Sequence, residues 1–357
     1  MGSPATTATI HAAELTEFAA GVLQWCNVPA HRARRAAETL VLSDLRGVQS
    51  HGVARLHLYV IALTKGLSDP EQTLALVRET PSTFAFDVQQ GFGLALAAEA
   101  MDRTVEKALA HGICMTTVRN STHFGMAGAY VLQAAHAGLA AMAMTNAGPL
   151  VVPTGGAAPR FGTNPIAFGV PVGGGEPPFV VDMATSAVAY GKVEIARRLE
   201  KPMPAGVVLD ETGEITTDPH AATWLTPLGG EHPTGGHKGY SLAVMVDTLC
   251  GPMAGSLWGT HLSSVFRTHD KSRLGHFFLA WRVDAFRDPE EFGADMRQML
   301  AELRGTPPAP GWDAVLAPGD PEIAASERHA RDGITLDPVV TASLRRLSEE
   351  SGVPFPA

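Results

Sequence analysis

An imidazole and a guanidinium stand four residues apart in the stretch Asp44 to Leu56, where Ser50, His51, Gly52 and Arg55 follow Arg46-Gly47-Val48. If the backbone is helical from His51 to Arg55, the two side chains share a face. Side by side and both charged they repel. The pair makes sense with an anion between them, Arg55 gripping a carboxylate while His51 handles a proton. The competing reading is an N-cap, Ser50, opening a surface helix with a solvated His and Arg. The stretch alone does not separate the two.

Other residues with chemical capacity follow. Asn120-Ser121-Thr122-His123-Phe124-Gly125-Met126-Ala127-Gly128 leaves the end of a predicted strand. Its glycines would let backbone approach a ligand, although a polar turn with a capping His fits as well. Thr145-Asn146 and Gly162-Thr163-Asn164-Pro165 lie at opposite ends of one Gly/Pro-rich loop. Thr163 could donate to a carboxylate, or merely serve the turn. Val180 to Ser186 ends a strand with Asp182, useful to a ribose, to a catalytic His, or as a helix cap. His237-Lys238 opens a helix, where an anion is already favoured, or is a solvated pair. Gly275-His276-Phe277 reads most cheaply as strand with a half-buried His.

The elements that must hold these residues can be placed from periodicity. Leu15, Phe18, Val22 and Trp25 recur at helical spacing; so do Ala37, Leu40, Val41, Leu45 and Val48, then Leu56, Tyr59, Val60 and Leu63. The chain opens with a small polar tail over residues 1–8 and a helical unit to about Gly66. Strands are predicted at Ser82–Val88, Gly112–Val118, Leu139–Asn146, Ile166–Pro171, Pro178–Asp182 and Leu274–Val283. Helices are predicted at Leu94–Ala110, Tyr130–Ala137, Ser186–Leu199, Gly239–Leu249, Glu290–Arg304 and Thr341–Ser351, with 200–236 an irregular crossing. Helices flank a strand-rich middle, so a helical domain from both ends (1–75 with 286–357) is expected around a sheet-rich domain (76–285).

With 357 residues, 45% of them apolar, the chain can bury a sizeable core. A net charge of −9 without any basic run argues against nucleic acid. Cys26, Cys114 and Cys250 are widely spaced and odd in number, so neither a disulfide framework nor a zinc pattern follows, no metal is expected, and a reducing, cytoplasmic setting is the natural expectation. No signal-peptide pattern or membrane-length apolar run is read. No G-x-G-x-x-G follows a strand, and no P-loop, H-E-x-x-H, C-x-x-C or G-x-S-x-G occurs.

Taken together, the quoted stretches resemble, in order and spacing, the malate/L-lactate/ureidoglycolate dehydrogenase family of NAD(P)-dependent oxidoreductases that lack a Rossmann domain. The resemblance rests on Ser50-His51-Gly52-Val53 with Arg55, Asn120-Ser121 with His123-Phe124-Gly125 and Ala127-Gly128, Thr145-Asn146, Gly162 to Pro165, and Asp182 to Ser186. It continues through Thr217-Asp218-Pro219, Pro227 to Gly230, His237-Lys238-Gly239-Tyr240 and Gly275 to Phe278. It implies an α/β (α+β) fold with a large, mostly antiparallel sheet, a homodimer, NADH or NADPH as cofactor, and a small carboxylate substrate. On matching positions it implies His51 as proton donor with Ser50 beside it, and His123 as a second acid/base candidate. Arg55, Thr163 and Asn120 become substrate contacts. Phe179, Val180, Val181, Asp182, Met183, Ala184, His237, Lys238, Gly275, His276 and Phe277 become cofactor contacts. The expected activity is hydride transfer at C2 of a 2-oxo or 2-hydroxy acid; a cyclic imine carboxylate reductase is the alternative, and a non-catalytic binding homologue a third reading.

The chain departs from the family pattern at Tyr190, where many members carry Arg, in the stretch Glu231 to Gly236, and at Gly206-Val207-Val208. Lys192 stands where imine-reducing members tend to carry Asp. A Lys near His51 would lower the His pKa and favour a base acting on a hydroxyl, so Lys192 is expected to discriminate for oxo or hydroxy acids.

Overall fold

The computed structural model describes residues 7–263 and 270–356. Of the expected tail over residues 1–8, residues 1–6 lie outside the described residues, whereas Ala8 already belongs to a strand. That strand, β1 (Ala8–Ile10), pairs antiparallel with β12 (Ile334–Leu336), which ties the two ends of the chain together.

Between them α1 (Ala12–Trp25) buries Leu15, Phe18, Ala19, Val22 and Leu23, and α2 (Ala30–Leu45) buries Ala33, Ala36, Ala37, Leu40 and Val41. Apolar residues at i, i+3 and i+4 give each helix one inward stripe. The alanines let the two axes come close. With α3 (Leu56–Thr64) and α10 (Pro338–Ser351) they enclose a core that also takes Ile334, Leu336, Leu344 and Leu347.

The middle of the chain supplies β2 (Ala75–Thr80), β3 (Thr83–Asp87), α4 (Gly93–His111), β4 (Ile113–Ser121), α5 (Gly128–His136), β5 (Leu139–Thr145), β6 (Ile166–Val170) and β7 (Phe179–Met183). After α6 (Tyr190–Leu199) come the short strands β8 (Val208–Leu209), β9 (Ile215–Thr216) and β10 (Trp224–Leu225), then α7 (Gly236–Cys250) and β11 (Leu274–Arg282). The chain ends through α8 (Pro289–Arg304), α9 (Asp320–Asp332), β12 and α10.

Among the described residues one sheet runs in the order β2-β3-β4-β11-β5-β6-β7, with β3 and β4 its parallel pair and the other neighbours antiparallel. Strand β11 lies inside it, and its period of two sends Phe278 and Ala280 into the core under α4 and α5, while Phe277 packs with Val246 and Cys250 of α7 on the opposite face. This is the expected α/β architecture with a large, mostly antiparallel sheet.

Some elements escape sequence patterning. Strand β2 is an edge with Leu76 and Val77 about half exposed (53% and 51%), so it shows no clean alternation. Helix α9 buries only Ala325 among its residues, too little for an apolar stripe to register. The crossing at 200–236 holds the small sheet β10-β8-β9. We propose that the two main cores mark the expected two parts of the chain, with α8 reaching across to pack Phe292 and Met296 against Phe168, Val170 and Phe179 of the sheet.

Candidate functional site

The stretch from Asp44 to Leu56 is not a continuous helix. It is two 3₁₀ turns, Gln49–His51 and Val53–Arg55, joined at Gly52. Asp44, fully buried in the last turn of α2, organises it: its Oδ2 accepts the Val53 N–H at 2.8 Å, and a Cβ on Gly52 would stand 1.9 Å from its Oδ1. From the far side, His329 of α9 donates from Nδ1 to the carbonyls of Asp44 and Leu45, at 3.0 and 2.9 Å. Within the loop the Arg55 Nε donates to the Ser50 carbonyl at 2.8 Å, and Ser50 Oγ lies 2.9 Å from His51 Nδ1.

The second wall comes from the turn after β4. Thr122 fastens it by accepting the Gly93 N–H at 2.8 Å and donating to the Gly91 carbonyl. That places the His123 ring 5.8 Å from the His51 ring, 19° from parallel, with Nδ1 at 2.7 Å from the Tyr59 hydroxyl of α3. The third wall is the end of β7, where Asp182 Oδ2 accepts the Gly128 N–H at the start of α5 at 2.7 Å. Ser50, His51, Arg55, Tyr59, His123, Thr163 and residues 180–184 all line one cleft of about 1080 Å³, together with Arg46, Gly128 and Glu322.

Burial sets the electrostatics. It lowers the His51 pKa to about 4, with Arg55 pushing the same way. His123 is held well below the usual His range by burial and by His51, Arg55 and His276. Burial raises Asp182 to about 6 against the opposing pull of the Gly128 N–H and Arg46, and raises Asp44 to about 7.

The Asp44 shift has a measurable consequence. A carboxyl whose pKa is raised on folding keeps a proton that the unfolded chain has lost, so stability falls as pH rises through the window from 3.8 to about 7. Asp44→Asn removes that titration and keeps the oxygen facing Val53. The variant should match the parent near pH 4 and exceed it by on the order of 4 kcal/mol above pH 7. Urea unfolding at several pH values checks this; a constant difference between the two proteins would contradict it.

Several expected site residues stand elsewhere. Asn120 is not at the cleft: it adopts a left-handed φ of 53° and donates from Nδ2 to both Asp87 oxygens, at 3.0 and 3.1 Å, beside the Arg119–Asp87 ion pair. Its amide is spent on holding the strand ends. His276 is fully buried, stacked on Phe124 at 4.6 Å with Nδ1 2.8 Å from Thr145 Oγ1. Gly275 is a packing necessity, since a Cβ there would lie 1.7 Å from the Cys250 carbonyl. Phe277 faces α7, and Phe179 lines a separate apolar hollow with Phe168, Trp281 and Phe292. His237 and Lys238 are exposed in the first turn of α7, off this cleft's wall. Lys192 is also exposed; Gly191 and Glu194 flank it on the wall, and the cation that lowers His51 is Arg55.

Four contributors were not singled out from sequence. Asp44 and Arg46 sit inside the quoted stretch, but their roles depend on Gly52 and on α9. Tyr59 occupies an apolar helical position and reads as core. Glu322 lies on α9, the helix that periodicity misses. The wall built from Val180 to Ala184, Gly128 and Arg46 fits a dinucleotide by its donor set: a carboxylate for ribose hydroxyls and a buried cation for phosphates. Gly128 leaves the room, because a Cβ there would lie 2.9 Å from Asp182 Oδ2.

The matches to known proteins run the length of this architecture. The malate/L-lactate dehydrogenase family model matches residues 10–345. The malate dehydrogenase of Pyrococcus abyssi is 38% identical over 345 residues, covering 95% of this chain and 94% of that protein. The crystal structure of malate dehydrogenase from Entamoeba histolytica superposes with a TM-score of 0.93 at 32% identity, over 99% of this chain and 100% of that one. Delta1-piperideine-2-carboxylate reductase from Pseudomonas syringae pvar. tomato follows with a TM-score of 0.80 at 27% identity, over 95% and 99%. A chain matched by the family model over nearly its whole length, with this fold, belongs to the malate/L-lactate dehydrogenase family of oxidoreductases.

Proposed function

We propose that the protein is an NAD(P)H-dependent oxidoreductase transferring hydride between a nicotinamide and C2 of a small 2-oxo or 2-hydroxy acid. The observation that carries this reading is the grouping of His51, His123 and Arg55 on one cleft, with the His rings 5.8 Å apart. The nicotinamide, when bound, supplies or takes the hydride. The chain's residues do the rest. Arg55 and Thr163 hold the carboxylate and so fix C2. In the oxidation direction neutral His51 takes the hydroxyl proton as C2 is oxidised; in reduction its imidazolium returns one proton to the C2 oxygen. Ser50 Oγ at His51 Nδ1 sets the ring's orientation. Spending the Arg55 charge on a substrate carboxylate removes one of the two causes that depress the His51 pKa, so the proton is easier to hold in the complex than in the open cleft.

The cofactor is read as NADH or NADPH, held by Asp182, Arg46 and the backbone of Val180 to Ala184. Arg46 keeps company with the carboxylates of Asp182 and Glu322 and is buried, which suits a phosphate whose charge outcompetes them. All three cysteines are buried free thiols, in keeping with a cytoplasmic setting. No helix among the described residues is long and apolar enough to cross a membrane. A homodimer follows from the family resemblance.

A cyclic imine carboxylate reductase is the second reading, favoured by the likeness to the piperideine-2-carboxylate reductase. It would use the same Arg55 grip and the same His51 proton, delivered to nitrogen. The deciding experiment follows nicotinamide absorbance with both cofactors against 2-oxo acids, 2-hydroxy acids and ring-imine carboxylates. Oxo or hydroxy acids should show the higher kcat/KM, and an imine preferred by tenfold or more would overturn that choice. With the preferred acid, Arg55→Ala should raise KM by about 100-fold and lower kcat less, the mark of a lost charge-assisted carboxylate grip. Cofactor binding with silence across the panel would return the non-catalytic reading.

A further inference from the structure

The hydrogen bonds around His123 fix more than its position. Two groups approach Nδ1: the Tyr59 hydroxyl at 2.7 Å and the Gly125 backbone N–H at 3.3 Å. A backbone N–H can only donate. Nδ1 is therefore the accepting nitrogen, because a proton on it would face the Gly125 hydrogen head-on. The Tyr59 hydroxyl, which could play either part, must then donate as well. The backbone donor is held in place: Gly125 sits at φ +81°, and a Cβ there would lie 2.7 Å from Leu94 Cδ2. Tyr59 is fixed by its burial and by an edge contact to Phe92, with ring centroids 5.8 Å apart.

We propose that Tyr59 is a positioning residue that, with the Gly125 N–H, locks His123 as the neutral Nε2–H tautomer, so that His123 offers the cleft a fixed hydrogen-bond donor and His51 alone carries the exchanged proton. The inference rests on the oxidoreductase reading above for its catalytic consequence, not for the tautomer itself. A neutral imidazole with its proton on Nε2 can take a second proton only at Nδ1, where the Tyr59 hydroxyl and the Gly125 N–H already donate. The groups that face it all oppose that step: Arg55 and His51 from the loop and His276 from β11 disfavour added positive charge, and Tyr59 supplies no negative charge. What His123 can do is polarise a C2 carbonyl, or steady the oxygen that gains charge as hydride arrives, a known use of neutral imidazole. The division of labour explains how two near-parallel His rings with centroids 5.8 Å apart serve one oxygen without competing for its proton.

The test has one arm that needs no substrate. The protein labelled with 15N-histidine is studied by long-range proton–nitrogen NMR, with the His123 signals assigned by their loss in His123→Gln. The expected spectrum has a bare, pyridine-like Nδ1 and a protonated, pyrrole-like Nε2, unchanged from mildly acidic to alkaline pH. In Tyr59→Phe, which keeps the ring and removes the hydroxyl, the Gly125 N–H still donates, so Nε2 should stay protonated while the Nδ1 signal moves toward that of an unbonded pyridine-like nitrogen. In the turnover arm Tyr59→Phe should lower kcat by about tenfold with KM little changed, the scale of one hydrogen bond. Its pH profile should keep the shape of the parent's, since His51 still titrates. A protonated Nδ1 or an imidazolium in the parent at neutral pH overturns the lock. Unchanged shifts in Tyr59→Phe, or normal kcat despite altered shifts, overturn the role of Tyr59. A correct tautomer in a protein with no turnover on any acid or imine overturns the oxidoreductase reading instead, so the two failures are told apart.

Discussion

His51→Ala should lower kcat by two to four orders of magnitude while leaving cofactor affinity nearly unchanged. General acid–base transfer contributes roughly 10²- to 10⁴-fold, and the ring lines the cleft beside Arg55 with its Nδ1 engaged by Ser50. The pH dependence makes the prediction specific. With a pKa lowered to about 4 by burial and Arg55, His51 is neutral in the free enzyme at neutral pH. A neutral base is what hydroxy-acid oxidation needs, so kcat/KM in that direction should stay flat as pH falls, and decline only near pH 4 as the base is protonated. Oxo-acid reduction needs the rare imidazolium. Its kcat/KM should therefore climb by about one decade per unit as pH falls from 8 toward 5. His51→Ala should abolish that slope as well as the rate. Matched pH–rate profiles of parent and variant, in both directions, are the measurement. Near-normal turnover in His51→Ala, with the slope lost instead in His123→Ala, would reverse the two roles.

The part of this site that could be read from the sequence is the part whose residues have few alternative uses. Ser50, His51 and Arg55 at close spacing, His123 among glycines and Asp182 at a strand end do meet on one cleft. Residues at strand ends with a structural alternative are the ones found engaged in the fold, away from this cleft's wall. Asn120 holds Asp87, His276 is packed inside the sheet, and Gly275 clears the end of α7. A single sequence shows residue type and spacing but not which face a strand residue takes once β11 is sandwiched between β4 and β5. Tyr59 was hidden for the opposite reason: a Tyr at an apolar helical position is indistinguishable from core until its hydroxyl is seen against His123. The fold was legible where apolar period was strong, as in α1, α2 and α4. It was lost where elements bury little, as in β2 and α9, and at His51 to Arg55, where Gly52 divides an apparent helix into two turns.

That glycine carries the second large effect, and backbone freedom is not the cause. Gly52 has φ −87°, which any residue can adopt. The obstacle is the buried Asp44 carboxylate: an added Cβ would stand 1.9 Å from Oδ1, 2.2 Å from Cγ and 2.4 Å from Oδ2. No part of that carboxylate is free to swing, because Asp44 is in the last turn of α2 and its Oδ2 is bonded to Val53 N–H. Gly52→Ala must either drive the carboxylate off Val53 or push out the turn that carries His51. Overpacking a buried site costs about 1–3 kcal/mol, and a lost bond to a buried carboxylate a similar amount. A destabilisation of about 2–4 kcal/mol is therefore expected. Since a displacement near 1 Å in a reacting group can cost about 100-fold, kcat/KM should fall at least that far even in the folded variant. Gly191→Ala is the control for stability: its Cβ would meet only Ser50 Cβ at 3.8 Å, on a helix where Ala is the better former. The decisive comparison is a double-mutant cycle with Asp44→Ala, which removes the colliding atoms. If the collision is the cause, Gly52→Ala with Asp44→Ala should unfold at a higher urea concentration than Gly52→Ala alone, a coupling that contacting residues show and distant ones do not. Strict additivity of the two losses would mean that the Asp44 carboxylate does not hold the His51 turn in place.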